Sequence, residues 1–577
     1  MNQRVKSEPQ KIEKTPTGIT GFDEITVGGL PRGRTTLLVG GTGSGKTVFA
    51  MQTLVNGAQM YAEPGIFACF EENTEQLIAN AASFGWDLPA LERQNLIYLD
   101  SRMTVDAIMT GNFDLKGLLA SLSTKAKEMN ARRVVFDSIG LLLSFMENPL
   151  AERQEFYRIH EWLAQNKMMG IITARLLGEQ FQEIERYDFL QFMSDSIIQL
   201  NHRIQDNVSL REIRVVKYRG SAFAGNIFPM VFSERGIEIA RWSDSMANFP
   251  ALDERVSSGV ERLDHMLEGG YYRGSSVLIT GAPGTAKTTL GGRFMEAACK
   301  RGEPSLMVSF DESPGAIVHN LSSVGSQLEQ YMNSGLLTIH SVRSDAYSAE
   351  EHLVQIRHLI EAHQPRNLVI DPISAMLKAG GEIPALAFAR HLLYLTRSRG
   401  ITVLITSLLD TSNPLVEATP IEISTIADTW IHLAYVVKAG ERNRSLTIVK
   451  SRGTAHSNQV RELLINDHGV TLEDVYSAGG EVLMGTLRWE KENAILQEQQ
   501  QARADLEIKK REIKRLEAET QARIEALKSE LESHRAELEI LLREQEQREQ
   551  NSMDRREATR YQRGGDARLD ETLSESD

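Results

Sequence analysis

Two kinds of apolar spacing alternate along most of the chain. Short runs of β-branched and aliphatic residues, TTLLVG, RVVFDS and GIITA, predict strands, while longer stretches such as KTVFAMQTLVNGAQMYA carry the period of a helix. Strand and helix in alternation predict βαβ units, hence a mainly parallel sheet covered by helices and an α/β fold class. Beyond about residue 485 the pattern changes. Ile495, Gln499, Ala502, Leu506, Lys509, Ile513, Leu516, Thr520, Ile524, Leu527, Leu531, His534, Leu538 and Leu541 recur at steps of three and four residues, with one stutter at Thr520. This predicts one long helix over about 485–550 that forms a modest coiled coil, because Gln, Lys, Thr and His interrupt the seam. A single solvated helix held by Glu-to-Lys and Glu-to-Arg pairs is the alternative. Residues 1–13 and 551–577 are expected to be disordered. Nowhere do 18 residues run without a charge or polar break, so neither a membrane span nor export is expected.

The helix-and-strand pattern is written twice. TPTGITGFDEITVGGLPRGRTTLLVGGTGSGKT returns as RVSSGVERLDHMLEGGYYRGSSVLITGAPGTAKT, with Gly18, Asp23 and Lys46 matching Gly259, Asp264 and Lys287 at a constant offset. FEEN at Phe70 pairs with FDES at Phe310, RVVFDSIG at Arg133 with NLVIDPIS at Asn367, and VKYRG at Val216 with VKSRG at Val449. Two homologous α/β domains follow, over residues 14–246 and 247–484.

Composition narrows the class. Of 577 residues, 41% are apolar and 25% charged, which fits globular material rather than collagen, wholesale disorder or a disulfide scaffold. A net charge of -14 repels a polyanion, so no nucleic-acid partner is expected. Cys69 and Cys299 alone cannot build a disulfide framework or a thiolate metal cluster, and they fit a reducing, cytoplasmic setting.

In the first copy a predicted strand runs into Gly40-Gly41-Thr42-Gly43-Ser44-Gly45-Lys46-Thr47 and then a helix, the P-loop pattern in its required context. Its glycines let backbone N–H groups curl around phosphate, Lys46 reaches the β and γ phosphates, and Thr47 can ligate Mg²⁺. The second copy reads Gly281-Ala282-Pro283-Gly284-Thr285-Ala286-Lys287-Thr288, with Ala286 at the last glycine; a methyl is tolerated there where φ is negative. Asp137 and Asp371 each close an apolar run, where a carboxylate would hold Mg²⁺ beside a nucleotide; a turn or helix cap is the other reading. Glu71-Glu72 and Asp311-Glu312 stand beyond a strand as carboxylate pairs able to orient or deprotonate a nucleophile, or as acids in the first turn of a helix. Lys217 and Arg219, with Lys450 and Arg452, lie two apart on a predicted strand. They read either as solvated edge residues or as cations that reach a phosphate on a neighbouring subunit.

Together these motifs resemble the KaiC family of circadian-clock ATPases and autokinases over roughly residues 14–475. The resemblance implies two tandem RecA-like P-loop domains stacked as two rings in a homohexamer, with ATP and Mg²⁺ between subunits. It implies steady hydrolysis in the first domain, with Glu71 and Glu72 acting on water, and autokinase and autophosphatase work in the second. The family's Ser-Thr phosphoacceptor pair falls on Ser424 and Thr425, with Thr419 as a nearby third hydroxyl, where the first copy has Gln191 and Phe192. Asp311, standing where the family usually has Glu, and Ala286 both bear on the balance of kinase and phosphatase work. KaiB is the expected partner. KaiA is not expected, because the family's short docking tail is replaced by the long helix, whose seams are expected to join two hexamers. A DNA-dependent RecA-like motor and an ATP-assembled scaffold without kinase activity are the alternatives.

Overall fold

The computed structural model describes residues 12–101, 115–144, 148–175, 189–205, 208–240, 253–409, 423–438, 440–467, 469–478 and 481–562. The two copies of the sequence fold into two lobes. The first is built from β1 (Thr35–Gly40), α1 (Lys46–Tyr61), β2 (Gly65–Cys69), α2 (Thr74–Ala82), β3 (Ile97–Asp100), α3 (Leu115–Met129), β4 (Arg133–Asp137), α4 (Pro149–Asn166), β5 (Met169–Arg175), β6 (Ser196–Gln205), β7 (Val208–Tyr218), β8 (Ile227–Ser233) and β9 (Gly236–Ile239). The second repeats it with β10 (Ser276–Gly281), α5 (Lys287–Lys300), β11 (Ser305–Ser309), α6 (Pro314–Ser322), β12 (Leu337–Ser341), α7 (Ala349–His363), β13 (Asn367–Asp371), α8 (Glu382–Ser398), β14 (Thr402–Ser407), β15 (Thr429–Lys438), β16 (Glu441–Ser451), β17 (Arg461–Asn466) and β18 (Gly469–Asp474).

Each lobe has a nine-stranded sheet, ordered β9-β8-β7-β6-β1-β5-β4-β2-β3 in the first and β18-β17-β16-β15-β10-β14-β13-β11-β12 in the second. The strands from β6 to β3 pair in parallel and those from β6 outward to β9 antiparallel, and lobe 2 repeats this. These are two tandem RecA-like domains. Alternate strand residues enter opposite cores: Leu38, Phe67 and Val135 face α1 and α2, whereas Leu37, Ile66, Val134 and Phe136 face α3 and α4. Phe49, Leu54 and Val55 seat α1 on the sheet, each fully buried and each stabilising the lobe by about 1.5–3 kcal/mol. The same crossovers bring the ends of β1, β2, β4 and β5 to one edge of the sheet, where open α/β sheets bind ligands. Between the lobes, Glu238 of β9 is buried and accepts from the Ser233 hydroxyl at 2.9 Å, from His358 Nε2 at 2.9 Å and from Arg357.

The chain separates into two compact units, with the break between Val475 and Tyr476. Tyr476–Ala478 and Glu481–Leu483 form a small antiparallel hairpin that belongs with the C-terminal unit, followed by α9, Gly485–Gln562. The helix therefore outruns the expected end near 550. Residues 549–562 are polar but contain good helix formers and no Gly or Pro, so helix continues until Gly564-Gly565 approaches. Its 78 residues give a rod about 117 Å long. Of the segments 1–13 and 551–577 expected to be disordered, residues 551–562 are helical instead, and residues 1–11 and 563–577 lie outside the described residues, as does the junction 241–252. Among the described residues no helix is long and apolar enough to cross a membrane.

Candidate functional site

Each P-loop links the first strand of its lobe to the first long helix, and its conformation follows from the residues that turn it. In lobe 1 Gly43 and Gly45 have φ of 72° and 96°, in the left-handed region open to glycine. The buried Ser44 hydroxyl donates to the Gly41 carbonyl at 2.8 Å, and the Thr285 hydroxyl does the same to Ala282. In lobe 2 Gly284 has φ of 79°, and Ala286 adopts φ of 82°. The expectation that Ala286 would need a negative φ is thereby overturned. The loop geometry is set by the βα connection, and the methyl is accommodated at a cost of about 1–2 kcal/mol. A Cβ on Gly45 would meet Phe232 of β8 at 2.6 Å, whereas lobe 2 has the smaller Ile465 of β17 at the register-equivalent position, and Ala286 and Ile465 both pack against the lobe 2 core.

Lys46 Nζ donates to the carbonyls of Gly40 and Gly41 at 2.9 and 2.8 Å, and Lys287 Nζ to those of Gly281 and Ala282 at 2.8 and 2.9 Å. Burial lowers the pKa of Lys46, while Asp137 and then Glu71 pull it back up. Lys287 is likewise lowered by burial and raised by Asp371. The Thr47 hydroxyl donates to Asp137 Oδ2 at 2.8 Å and the Thr288 hydroxyl to Asp371 Oδ2 at 2.6 Å. Thr173 and Thr406, one strand over, donate to the other carboxylate oxygen. Both aspartates are buried, which raises their pKa, and both are drawn back down by their two threonine bonds. A buried carboxylate with a threonine hydroxyl beside it is a hard, all-oxygen donor set, which suits Mg²⁺ completed by phosphate and water oxygens. Thus Lys46, Thr47 and Asp137 come together, as do Lys287, Thr288 and Asp371.

The carboxylate pairs stand just beyond β2 and β11. The charge of Glu71 bears on both Asp137 and Lys46, and that of Asp311 on Asp371, so the first member of each pair lies near the P-loop site. The second member is held aside: Glu72 Oε2 accepts from Asn80 Nδ2 and Glu312 Oε2 from Asn320 Nδ2, each at 3.0 Å.

The basic pairs are engaged within their own lobe. Lys217 Nζ donates to the Gln191 carbonyl at 2.8 Å and Arg219 to that of Phe192 at 3.0 Å. Lys450 Nζ donates to the Ser424 carbonyl at 2.6 Å and Arg452 to that of Thr425 at 2.9 Å. The two lobes thus make one arrangement, and it sets Ser424-Thr425 in register with Gln191-Phe192. Ser424 is half-buried and Thr425 exposed; Thr419 lies outside the described residues.

Several contributors escaped the sequence reading. Arg211 and Arg444 donate to the Gly43 and Gly284 carbonyls at 3.4 and 3.1 Å, and Arg442 stacks on Tyr435 at 3.6 Å, whose hydroxyl abuts Gly284. Phe232, Thr173, Thr406, Asn80 and Asn320 join them. The available signal was the internal repeat, which keeps Arg211/Arg444, Thr173/Thr406 and Asn80/Asn320 identical between the copies.

Fold and site together define a tandem P-loop ATPase with two nucleotide cradles of unequal equipment. A family model for the ATPase KaiC matches residues 15–243 and again 256–476. The chain is 39% identical over 539 residues to the circadian clock protein KaiC2 of Synechocystis sp., covering 91% of this chain and 93% of that protein. It is 35% identical over 482 residues to the circadian clock oscillator protein KaiC of Parathermosynechococcus lividus, covering 83% and 89%. To the protein of that name from Synechococcus elongatus it is 33% identical over 482 residues, covering 83% and 93%. The chain belongs to the KaiC family of ATPases. The 91% of the chain matched by the Synechocystis protein is more than the two lobes contain, so that likeness extends into the C-terminal helix.

Proposed function

We propose that lobe 1 hydrolyses ATP while lobe 2 transfers the γ-phosphoryl group of ATP to Ser424 and Thr425 and later removes it, as a circadian or hourglass-type timing switch that works with KaiB. The reading rests chiefly on the matched clamps described above: the lobe without hydroxyls at Gln191-Phe192 is left with water as its nucleophile, and the lobe with Ser424-Thr425 has protein acceptors at the same place.

In lobe 1 the attacking water gives its proton to Glu71 as its oxygen bonds to the γ-phosphorus and the bond from phosphorus to the bridging oxygen breaks, releasing ADP and phosphate. In lobe 2 the oxygen of Ser424 or Thr425 takes the place of water and Asp311 takes the proton. Glu72 and Glu312 complete the pairs. Residues 41–47 and 282–288, with Gly281, cradle the phosphates through backbone N–H groups and the Lys46 and Lys287 ammoniums. Thr47 with Asp137, and Thr288 with Asp371, would hold Mg²⁺, which neutralises charge on the phosphates. In a homohexamer Lys217 and Arg219, or Lys450 and Arg452, exchange their carbonyl partners for the nucleotide of the adjacent subunit.

The eight leucine and isoleucine seam positions from Leu506 to Leu541 are 42–62% exposed on the single helix. Such a stripe supports pairing of helices between two hexamers, with KaiA not used.

The test is to incubate the full-length protein with Mg·ATP and follow phosphopeptides by mass spectrometry beside total ADP release. Phosphate on Ser424 and Thr425, lost in the Ser424→Ala/Thr425→Ala variant, is the expected result. ADP release with no phosphoprotein would overturn the kinase reading and leave an ATPase scaffold.

A further inference from the structure

The turn that carries each carboxylate pair is followed by a short helix, α2 in lobe 1 and α6 in lobe 2. Across the nine aligned positions of these helices the two copies read TEQLIANAA and PGAIVHNLS, and a single residue is identical, Asn80 with Asn320. Neither packing nor helix propensity explains its retention. Both asparagines are exposed, and asparagine is among the weaker helix formers in a helix interior. What the two share is a bond: each Nδ2 donates to Oε2 of the second carboxylate, eight residues back, at 3.0 Å.

The same glutamate is also tied through its main chain. The Glu72 N–H donates to Cys69 Sγ at 3.3 Å, and the Glu312 N–H to Ser309 Oγ at 3.1 Å. In each lobe the second carboxylate residue is thus anchored backward to the end of its strand and forward to its helix. The first carboxylate differs: among the described residues no hydrogen bond or ion pair holds the Glu71 or Asp311 side chain, and its charge is felt by the buried aspartate of the P-loop site. An anchored residue directly following an unanchored one fixes where the unanchored side chain starts from. Proton transfer to a positioned base depends on such placement, since a misplacement of 1 Å lowers the rate by up to about 100-fold.

We propose that Asn80 and Asn320 are positioning residues of the two catalytic centres, holding Glu72 and Glu312 so that Glu71 and Asp311 present their carboxylates to the nucleophile. This rests on the hydrolysis and phosphotransfer reading given above.

The experiment uses the full-length protein with Mg·ATP. Wild-type ADP release is measured first, and its absence would overturn the underlying reading together with this one. With wild type active, Asn80→Leu is expected to lower the ATPase kcat about 5- to 20-fold with KM within about twofold, the effect of a lost orienting bond rather than a lost binding site. Asn80→Asp sets a second carboxylate against Glu72 and should lose more, with the loss shrinking as the pH falls toward the ordinary carboxylate range near about 4.3. Asn80→Gln, which keeps the donor, should recover much of the activity. Asn320→Leu should slow phosphate incorporation at Ser424 and Thr425 by a similar factor. A folded Asn80→Leu protein, with wild-type melting temperature and wild-type kcat, overturns the positioning role. So does a change confined to KM, or a pH profile for Asn80→Asp that runs parallel to wild type.

Discussion

The two lobes share strand order, loop register and clamp geometry, yet differ in the loop, at the first carboxylate and at the residues that their basic pairs hold. Lobe 1 sets Gly45 above Phe232, carries Glu71, and offers Gln191-Phe192 to its basic pair; lobe 2 has Ala286 in the loop and the smaller Ile465 at the register-equivalent position of Phe232, carries the shorter Asp311, and offers Ser424-Thr425. The two copies keep the lysine, threonine and buried aspartate of the P-loop site and differ at Glu71 against Asp311 and at Gln191-Phe192 against Ser424-Thr425.

The sharpest way to break the comparison is to disable one cradle at a time. Lys46→Ala should lower lobe 1 turnover by about 100-fold or more while phosphate still appears on Ser424 and Thr425, and Lys287→Ala should do the reverse. ADP release and phosphopeptide yield, measured on the same samples, separate the two. If either variant abolishes both signals, the lobes are not independent centres.

A smaller effect is expected from exchanging the residues at Gly45 and Phe232. Gly45→Ala puts a methyl at φ 96° against Phe232 and should destabilise lobe 1 by about 2–4 kcal/mol, the sum of left-handed strain and overpacking. Adding Phe232→Ile should recover about half. Ala286→Gly relieves strain but adds chain entropy, for a net gain within about 1 kcal/mol. Thermal unfolding of the three variants checks the ordering, and an unaltered melting temperature for Gly45→Ala would refute the clash with Phe232.

The least effect is expected at the far ends of the strands, where the lobes solve one burial problem with different residues. In lobe 1 the fully buried Arg133 donates to Glu63 at 2.6 Å and to the Thr53 carbonyl at 2.8 Å. In lobe 2 Asn367 takes the place of Arg133, and Glu303 instead receives Arg273, Arg301 and Asn367. Burial alone would raise the pKa of Glu303, but those three bonds hold it down at about 2. A carboxylate lowered in the folded state stabilises above its unfolded pKa, near about 4.5, and loses that contribution as the pH falls through its folded value. Acid titration should therefore weaken wild type between about pH 4.5 and 2, and Glu303→Gln should flatten that part of the curve. An unchanged slope would show that Glu303 is not the group titrating.

Much of this was legible in the chain. The repeat, the P-loops and the buried aspartates follow from local spacing, because a strand, a glycine turn and a helix need only neighbouring residues to declare themselves. The long helix was equally plain; its true end was obscured by polar but helix-competent residues after 548. The conformation of Ala286 was not legible, since it is imposed by the βα connection. Nor were Thr173, Thr406, Arg211 and Arg444, which reach their loops from strands far along the chain.

By itself the sequence determined the class, the duplication and the asymmetry between a lobe with Ser424-Thr425 and one with Gln191-Phe192 at the matching place. Only the tertiary structure decided which carboxylate of each pair is anchored by asparagine, and which carbonyls the basic pairs hold. Residue types and short spacings encode local geometry, whereas the aim of a side chain depends on what the folded sheet brings against it.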